Sequence, residues 1–205
     1  MLCGISCSTN KSANKTHLLS KDHRNLLKDI KAVTDDGDVN AIIEIPLGTN
    51  DKWEFNKSTG KIEWEIVNDK PRIVNYLGYP GNYGFIPQTL LSKNSGGDGD
   101  PLDILVLGPS VDRGEIIKCK IIGVLKLIDR GEQDDKLIAV SDASPMYDIN
   151  SIKELNTNYK GVCDIIEIWF KNYKGSNKME SLGFGERKEA LSILNKAIIE
   201  FKNKR

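Results

Sequence analysis

Three carboxylates, Asp98, Asp100 and Asp103, fall within six residues in Gly96-Gly-Asp-Gly-Asp-Pro-Leu-Asp-Ile-Leu-Val106, where a glycine-rich stretch runs into an apolar strand. Like charges this close repel and raise one another's pKa values. Such a cluster is tolerated where cations neutralise it, and oxygen donors alone suit Mg²⁺ or Mn²⁺. A solvated acidic turn is the plainer alternative. A calcium loop of the EF-hand type fails on inspection. Counted from Asp98, that pattern needs Gly sixth and Glu twelfth, and Asp103 and Pro109 stand there instead.

A second acidic run, Asp129-Arg-Gly-Glu-Gln-Asp-Asp-Lys136, closes a long apolar segment and brings Asp129, Asp134 and Lys136 together. Alone it reads as another acidic turn. Two such turns at strand ends in one small barrel can face each other, however, and then form a two- or multi-metal cage of the kind used for in-line phosphoryl displacement. Basic residues complete the set. Lys52 precedes Trp53-Glu54, Arg72 follows Lys70-Pro71, and Lys174 follows Tyr173. Arg offers phosphate oxygens a planar fork and Lys a point charge. Singly, each is an ordinary surface charge; their value lies in the combination. The two histidines, His17 and His23, both lie near the N-terminus. Catalysis in the body of the chain must therefore run without imidazole.

Short β-type runs have to position these groups. Ala41–Pro46, Trp53–Phe55, Lys61–Ile66, Leu102–Leu107, Glu115–Ile128 and Leu137–Val140 read as strands, with Asn56-Lys-Ser-Thr-Gly60 as a hairpin turn. Helical periodicity comes late. Val162, Ile165, Ile166, Trp169, Phe170 and Tyr173 share one face, and a second helix after Gly185 carries Ala190, Leu191, Leu194, Ile198 and Phe201. The fold class is mainly β with flanking helices (α+β), a small closed or partly closed barrel. Residues 1–38 read as a polar tail with a short helix, and 39–205 as a single domain.

The bulk composition excludes several classes. The chain has 205 residues, enough for one domain with a buried core. Lys plus Arg equals Asp plus Glu at 29 each, so no global field recruits nucleic acid or an anionic membrane. No apolar run approaches the ~18 residues of a membrane span. Cys3, Cys7, Cys119 and Cys163 form no C-x-x-C pair, which argues against zinc. Cys119 and Cys163 sit in apolar stretches and read as reduced core thiols, in keeping with a cytoplasmic setting. Cys7 with its polar followers looks faintly like the start of a mature lipoprotein. Only six residues precede it, too few for a signal segment unless the start site is placed too late.

Taken in order, Ile43-Glu44-Ile-Pro46, Lys52-Trp-Glu54, Gly78-Tyr79-Pro-Gly-Asn-Tyr83-Gly-Phe, Asp98-Gly-Asp-Pro-Leu-Asp103, Gly123-Val-Leu-Lys126 with Asp129 to Lys136, and Asn172-Tyr173-Lys174 resemble the soluble Mg²⁺-dependent inorganic pyrophosphatases of the barrel-forming, bacterial type. The resemblance covers roughly residues 40 to 175, and Asp-Gly-Asp-Pro-Leu-Asp is its most specific segment. It implies an OB-like barrel and hydrolysis of pyrophosphate to two phosphates, with a homo-oligomer, hexamer favoured. By the same resemblance, Asp98, Asp103, Asp129 and Asp134 would hold metal, and Glu44 another ion through water. Asp100 would orient and deprotonate the attacking water, with Tyr83 hydrogen-bonding beside it. Lys52, Arg72, Lys136, Tyr173 and Lys174 would grip pyrophosphate, and Glu54 would join the acidic network. The stretch from Arg72 to Tyr79 is about one residue shorter than the family pattern, which leaves Lys70 open as the phosphate ligand instead. Arg130 stands beside Asp129 where a neutral or acidic residue is expected, and would weaken the metal there.

Charge explains why the site needs metal. Seven candidate carboxylates against four cations leave it at −3. Fully ionised pyrophosphate takes it to −7, so three or four divalent ions restore near neutrality. Two metals sharing a water would lower its pKa from ~15.7 towards neutrality. Two other functions share parts of the pattern. A metal-dependent phosphohydrolase acting on nucleotides or short polyphosphate needs a base-binding pocket, and no aromatic platform is reserved for one. A non-enzymatic OB-like binding module shows a basic groove with exposed aromatics, whereas the clusters here are acidic.

Overall fold

The computed structural model describes residues 24–92, 97 and 99–204. In chain order the strands are β1 (Val39–Ile45), β2 (Trp53–Asn56), β3 (Lys61–Trp64), β4 (Ile66–Val67), β5 (Lys70–Pro71), β6 (Asn82–Phe85), β7 (Asp103–Leu107), β8 (Ile116–Asp129), β9 (Glu132–Gln133) and β10 (Lys136–Ser141). Helices α1 (Ile152–Asn158) and α2 (Val162–Asn172) follow, then β11 (Met179–Glu186) and helix α3 (Arg187–Asn203).

Hydrogen bonding runs β1-β6-β7-β10-β8, and the start of β8 pairs back onto β1 through Val39↔Cys119 to Ile42↔Ile116. The five strands thus close a ring, the small barrel expected from the sequence. Among the described residues only the β7–β10 pair is parallel. The 14 residues of β8 let one strand serve β1 at its start, β10 in its middle and β11 at its end. Gly84 in β6 permits a close approach to β1, because a Cβ there would lie 1.8 Å from the Ile42 carbonyl oxygen.

Alternation along the strands sorts the core into two main clusters. Leu105, Leu107, Ile138 and Val140 pack with α1 and α2 through Ile152, Leu155, Ile166 and Phe170. Ile104, Val106, Leu137 and Ala139 pack with α3 through Ala190, Leu194 and Ala197. Burying a side chain such as Ile166 or Phe170 contributes about 2 kcal/mol. From residue 24 onward the N-terminal segment takes part: Leu26 and Ile30 pack on Trp53, Ile62 and Phe85. Its first turns, near Leu26, are hydrogen-bonded bends rather than an α-helix; residues 1–23, including Cys3, Cys7, His17 and His23, lie outside the described residues. Cys119 and Cys163 are free, buried thiols, as read from the sequence.

Two helix expectations change. Ile165 is 62% exposed rather than part of the buried face of α2. Adjacent helical residues are about 100° apart, and a stripe centred on Ile166, Trp169 and Phe170 leaves Ile165 on its flank. Helix α1 was not expected at all. Its N-cap Ser151 accepts from the Glu154 amide at 3.1 Å, and Glu154 Oε2 accepts from the Asn150 amide at 2.7 Å.

Candidate active site

Strand ends and the β2–β3 hairpin surround a cavity of about 700 Å³. β1 contributes Glu44, β6 Tyr83, β7 Asp103 and β10 Lys136, each near the end of its strand. The segment before β10 brings Asp134, and the residues after α2 bring Tyr173 and Lys174. The hairpin and the residue before it supply Glu54 and Lys52, the residue after β5 supplies Arg72, and the segment before β7 supplies Asp100. Most of the residues expected from the sequence therefore line one space. Asp129 does not line it, but Lys174 Nζ reaches Asp129 Oδ2 at 2.7 Å and ties it to the wall. Asp98 lies outside the described residues. Lys70 is exposed on β5, away from the lining, whereas Arg72 faces the cavity.

Lys136 is the most unusual of these groups. It is 2% exposed, and its Nζ meets Asp103 Oδ2 and Asp134 Oδ1 at 2.5 Å each. Burial disfavours its ammonium form, but the two carboxylates outweigh burial and hold its pKa above the ordinary value. At Lys174 burial is likewise opposed, here by Tyr173, Asp129 and Asp134, and the pKa again rises. Glu44 is pushed the other way chemically. Burial raises its carboxyl to about 8 against the pull of Lys52, and Oε1 accepts from the Phe55 amide at 2.6 Å. Lys52 stands 3.6 Å from Glu54.

Aromatic packing fixes the other wall. Trp169 stacks on Tyr173 with centroids 4.6 Å apart and donates from Nε1 to the Leu77 carbonyl at 3.0 Å. Tyr79 lies between Trp169 and Tyr83, at 4.3 and 5.1 Å. Burial, with Asp103 nearby, raises the Tyr79 and Tyr83 phenols well above their usual pKa, so both stay protonated donors.

Several lining groups were not singled out in the sequence. Arg72 Nη1 donates to both carboxylate oxygens of Glu65, at 2.9 and 2.8 Å. Its carbonyl accepts from Trp64 Nε1 at 2.8 Å. Lys57 pairs with Asp100. The alternating charges of Lys61-Ile-Glu-Trp-Glu-Ile66 carried a signal for Glu65, since one face of that strand had to meet something polar. Lys57 sat in a turn and offered none.

The donor set fits a divalent metal. Asp129 Oδ1 is buried and finds no hydrogen-bond donor among the described residues; Arg130 Nε stands 4.0 Å away. The carboxylates of Asp103, Asp129 and Asp134 offer oxygen ligands, the kind that Mg²⁺ prefers. Among the described residues the acidic side chains do not gather in threes around one point. Lysine ammonium groups stand between pairs of them instead.

Residues 41–202 match the sequence model of the family described as inorganic pyrophosphatase. The chain belongs to this family. The inorganic pyrophosphatase of Campylobacter jejuni is 37% identical over 168 residues, 80% of this chain and 92% of that one. Among solved structures, type I inorganic pyrophosphatase from P. falciparum superposes with a TM-score of 0.79 at 29% identity, covering 87% of this chain; the chain spans 63% of that longer protein. A vacuolar soluble pyrophosphatase of Trypanosoma cruzi, truncated of its N-terminal domain and in complex with PPi, gives 0.79 at 27% identity over 89% of this chain and 75% of that one. The match extends beyond the segments that carry the sequence resemblance, through most of α3.

Proposed function

We propose that this pyrophosphatase-family protein hydrolyses inorganic pyrophosphate to two phosphates with Mg²⁺ as its cofactor, three to four ions per site, Mn²⁺ serving as a substitute. The observation that carries the reading is the buried Lys136 clasped by Asp103 and Asp134 at the floor of a cavity lined by both signs of charge. A cavity for a plain anion would not need so many carboxylates, and a cavity for metal alone would not need the lysines. Substrate and metal together satisfy both.

Asp103, Asp129 and Asp134 would hold metal, with Asp98 beside them and Glu44 acting through water. When bound, divalent ions neutralise the substrate and acidify water at neutral pH. Asp100 orients the attacking water and takes its proton as oxygen bonds to phosphorus. The bridging oxygen leaves with the second phosphate. Lys52, Arg72, Lys136, Tyr173 and Lys174 grip the phosphoryl oxygens, and the raised pKa values of Lys136 and Lys174 keep both as ammonium donors. Charge developing in the transition state meets preorganised donors in a partly dry site, and this electrostatic stabilisation contributes most to such catalysis. Tyr83 donates beside the water, and Glu54 keeps Lys52 aimed. The free thiols Cys119 and Cys163 support a cytoplasmic setting.

Phosphate release from pyrophosphate with Mg²⁺, and its loss in excess EDTA, tests the reading. Equal hydrolysis in EDTA, or faster hydrolysis of ATP than of pyrophosphate, would overturn it. A homo-oligomer belongs to the same proposal, supported by exposed apolar residues such as Ile165, Ile168 and Ile199 on the helices. Light scattering giving the 22.8 kDa of one chain would count against it.

A further inference from the structure

Lys57 lies in the β2–β3 turn, and the turn holds it firmly. Asn56 Oδ1 accepts from the Ser58 amide at 2.8 Å, the Gly60 amide donates to the Asn56 carbonyl at 2.8 Å, and Asn56 Nδ2 donates to Glu63 at 2.8 Å. From this turn Lys57 Nζ donates to the Gly99 carbonyl at 3.0 Å and pairs with the Asp100 carboxylate. The backbone on the far side is anchored as well: the Gly99 amide donates to the Leu91 carbonyl at 2.7 Å, and the Leu91 amide to that of Asp100 at 2.9 Å. One ammonium group therefore joins two walls of the cavity that are 42 residues apart in sequence, and it does so at the side chain that has to be aimed.

We propose that Lys57 is a positioning residue for Asp100, setting the direction of its carboxylate towards the attacking water. This inference rests on the reading of Asp100 as the water-handling group. Both side chains are about half exposed, 52% and 48%. An exposed pair contributes little to stability, so the contact has no evident purpose as a structural brace. Orientation is a separate matter. A proton acceptor on a freely rotating side chain spends part of its time turned away, and small misplacements at a reacting centre cost rate rather than affinity. A lysine bound to both the carboxylate and the preceding carbonyl limits that rotation.

The test is a double-mutant cycle on the full-length protein in saturating Mg²⁺, with kcat and KM measured for pyrophosphate. Lys57→Met is expected to lower kcat by about fivefold, in the range an exposed charge pair supports, with KM changed less than about twofold. Lys57→Arg should recover at least half of the lost rate. In an Asp100→Asn background, Lys57→Met should change kcat by less than about twofold, because the group it aims is gone. Three results overturn the proposal: an unchanged kcat in Lys57→Met, a rise in KM alone (which makes Lys57 a substrate contact), or the same fivefold loss in both backgrounds. Wild-type kcat in the Asp100→Asn single variant sinks the reading of Asp100 itself, and that single variant tells the two failures apart.

Discussion

Lys136 and Lys118 each stand between two aspartates, and they differ in almost everything else. Lys136, at the start of β10, meets Asp103 and Asp134 at 2.5 Å and is 2% exposed. Lys118, near the start of β8, lies 2.9 Å from Asp36 and 3.5 Å from Asp38, with its side chain 36% exposed and Asp36 78% exposed. Both ammonium groups are held above their ordinary pKa. At Lys118 the hydrogen bond to Asp36 is the main cause, in contact with water. At Lys136 the carboxylates must first overcome the loss of hydration. An arrangement that forms only against a burial penalty is weak evidence for a role in stability. The residue types are the same in both triads, so burial rather than composition marks the site.

The largest effect should come from removing the buried cation. Lys136→Met is expected to lower kcat/KM by ~10³, the scale of losing a preorganised donor to developing charge. It should also cost about 2 kcal/mol of unfolding free energy in metal-free buffer, because Asp103 and Asp134 are left facing each other. Urea titration in EDTA checks the second figure and phosphate release the first. A stability loss no greater than that of Lys118→Met would erase the contrast.

Next in size is the carboxylate side. If Asp103 holds metal as proposed, Asp103→Asn should raise the Mg²⁺ concentration for half-maximal activity by about tenfold, since one ligand charge is then gone. Asp38→Asn, the counterpart beside Lys118, should leave that concentration where it was. A Mg²⁺ titration of the two variants side by side decides the point, and equal shifts would mean that long-range charge, not ligation, is being read. The Arg72–Glu65 pair, with side chains 35% and 22% exposed, lies between the two triads in burial. Glu65→Gln should accordingly cost below about 1 kcal/mol in urea unfolding, less than Lys136→Met. A larger loss would place that pair with the buried class.

Much of this site could be read from the chain because local sequence carries its chemistry. Asp100, Asp103, Asp134 and Lys136 sit at strand ends in runs whose apolar partners announce the strand, so residue type and element were legible together. The barrel followed from strand spacing. Strand β11 did not, because Gly183 and Gly185 dilute its β character and a bulge at Ser181/Gly183 breaks its alternation. Helix α1 carried a legible Ser-x-x-Glu capping pattern, but a seven-residue segment is too short to display helical periodicity. Lys57 was hidden for another reason. It acts through a partner supplied by tertiary folding, and single-chain patterning holds no record of which exposed charges will meet; Glu65 showed in the charge alternation of its strand, but its pairing with Arg72 did not. The same gap left Ile165 on the wrong side of α2, since only packing decides how wide a buried stripe becomes.

The smallest effect is the one that most tests the comparison. Lys118→Met removes a lysine flanked by two aspartates, as Lys136→Met does, yet it should leave kcat and KM for pyrophosphate unchanged. None of Asp36, Asp38 or Lys118 lines the cavity, and Asp38 Oδ2 has a second donor in Tyr147 Oη, at 2.9 Å, that the substitution does not remove. Water reaches Asp36 directly, so its charge is solvated whether or not the lysine is present. The urea midpoint should move no further than replicate titrations scatter, and any shift seen at low ionic strength should vanish at high salt, where exposed charges are screened. Lys136→Met should keep its deficit under the same salt, because its pair is shielded from mobile ions. If added salt rescues Lys136→Met as fully as Lys118→Met, the inner triad is in contact with solvent after all, and the distinction drawn from burial fails.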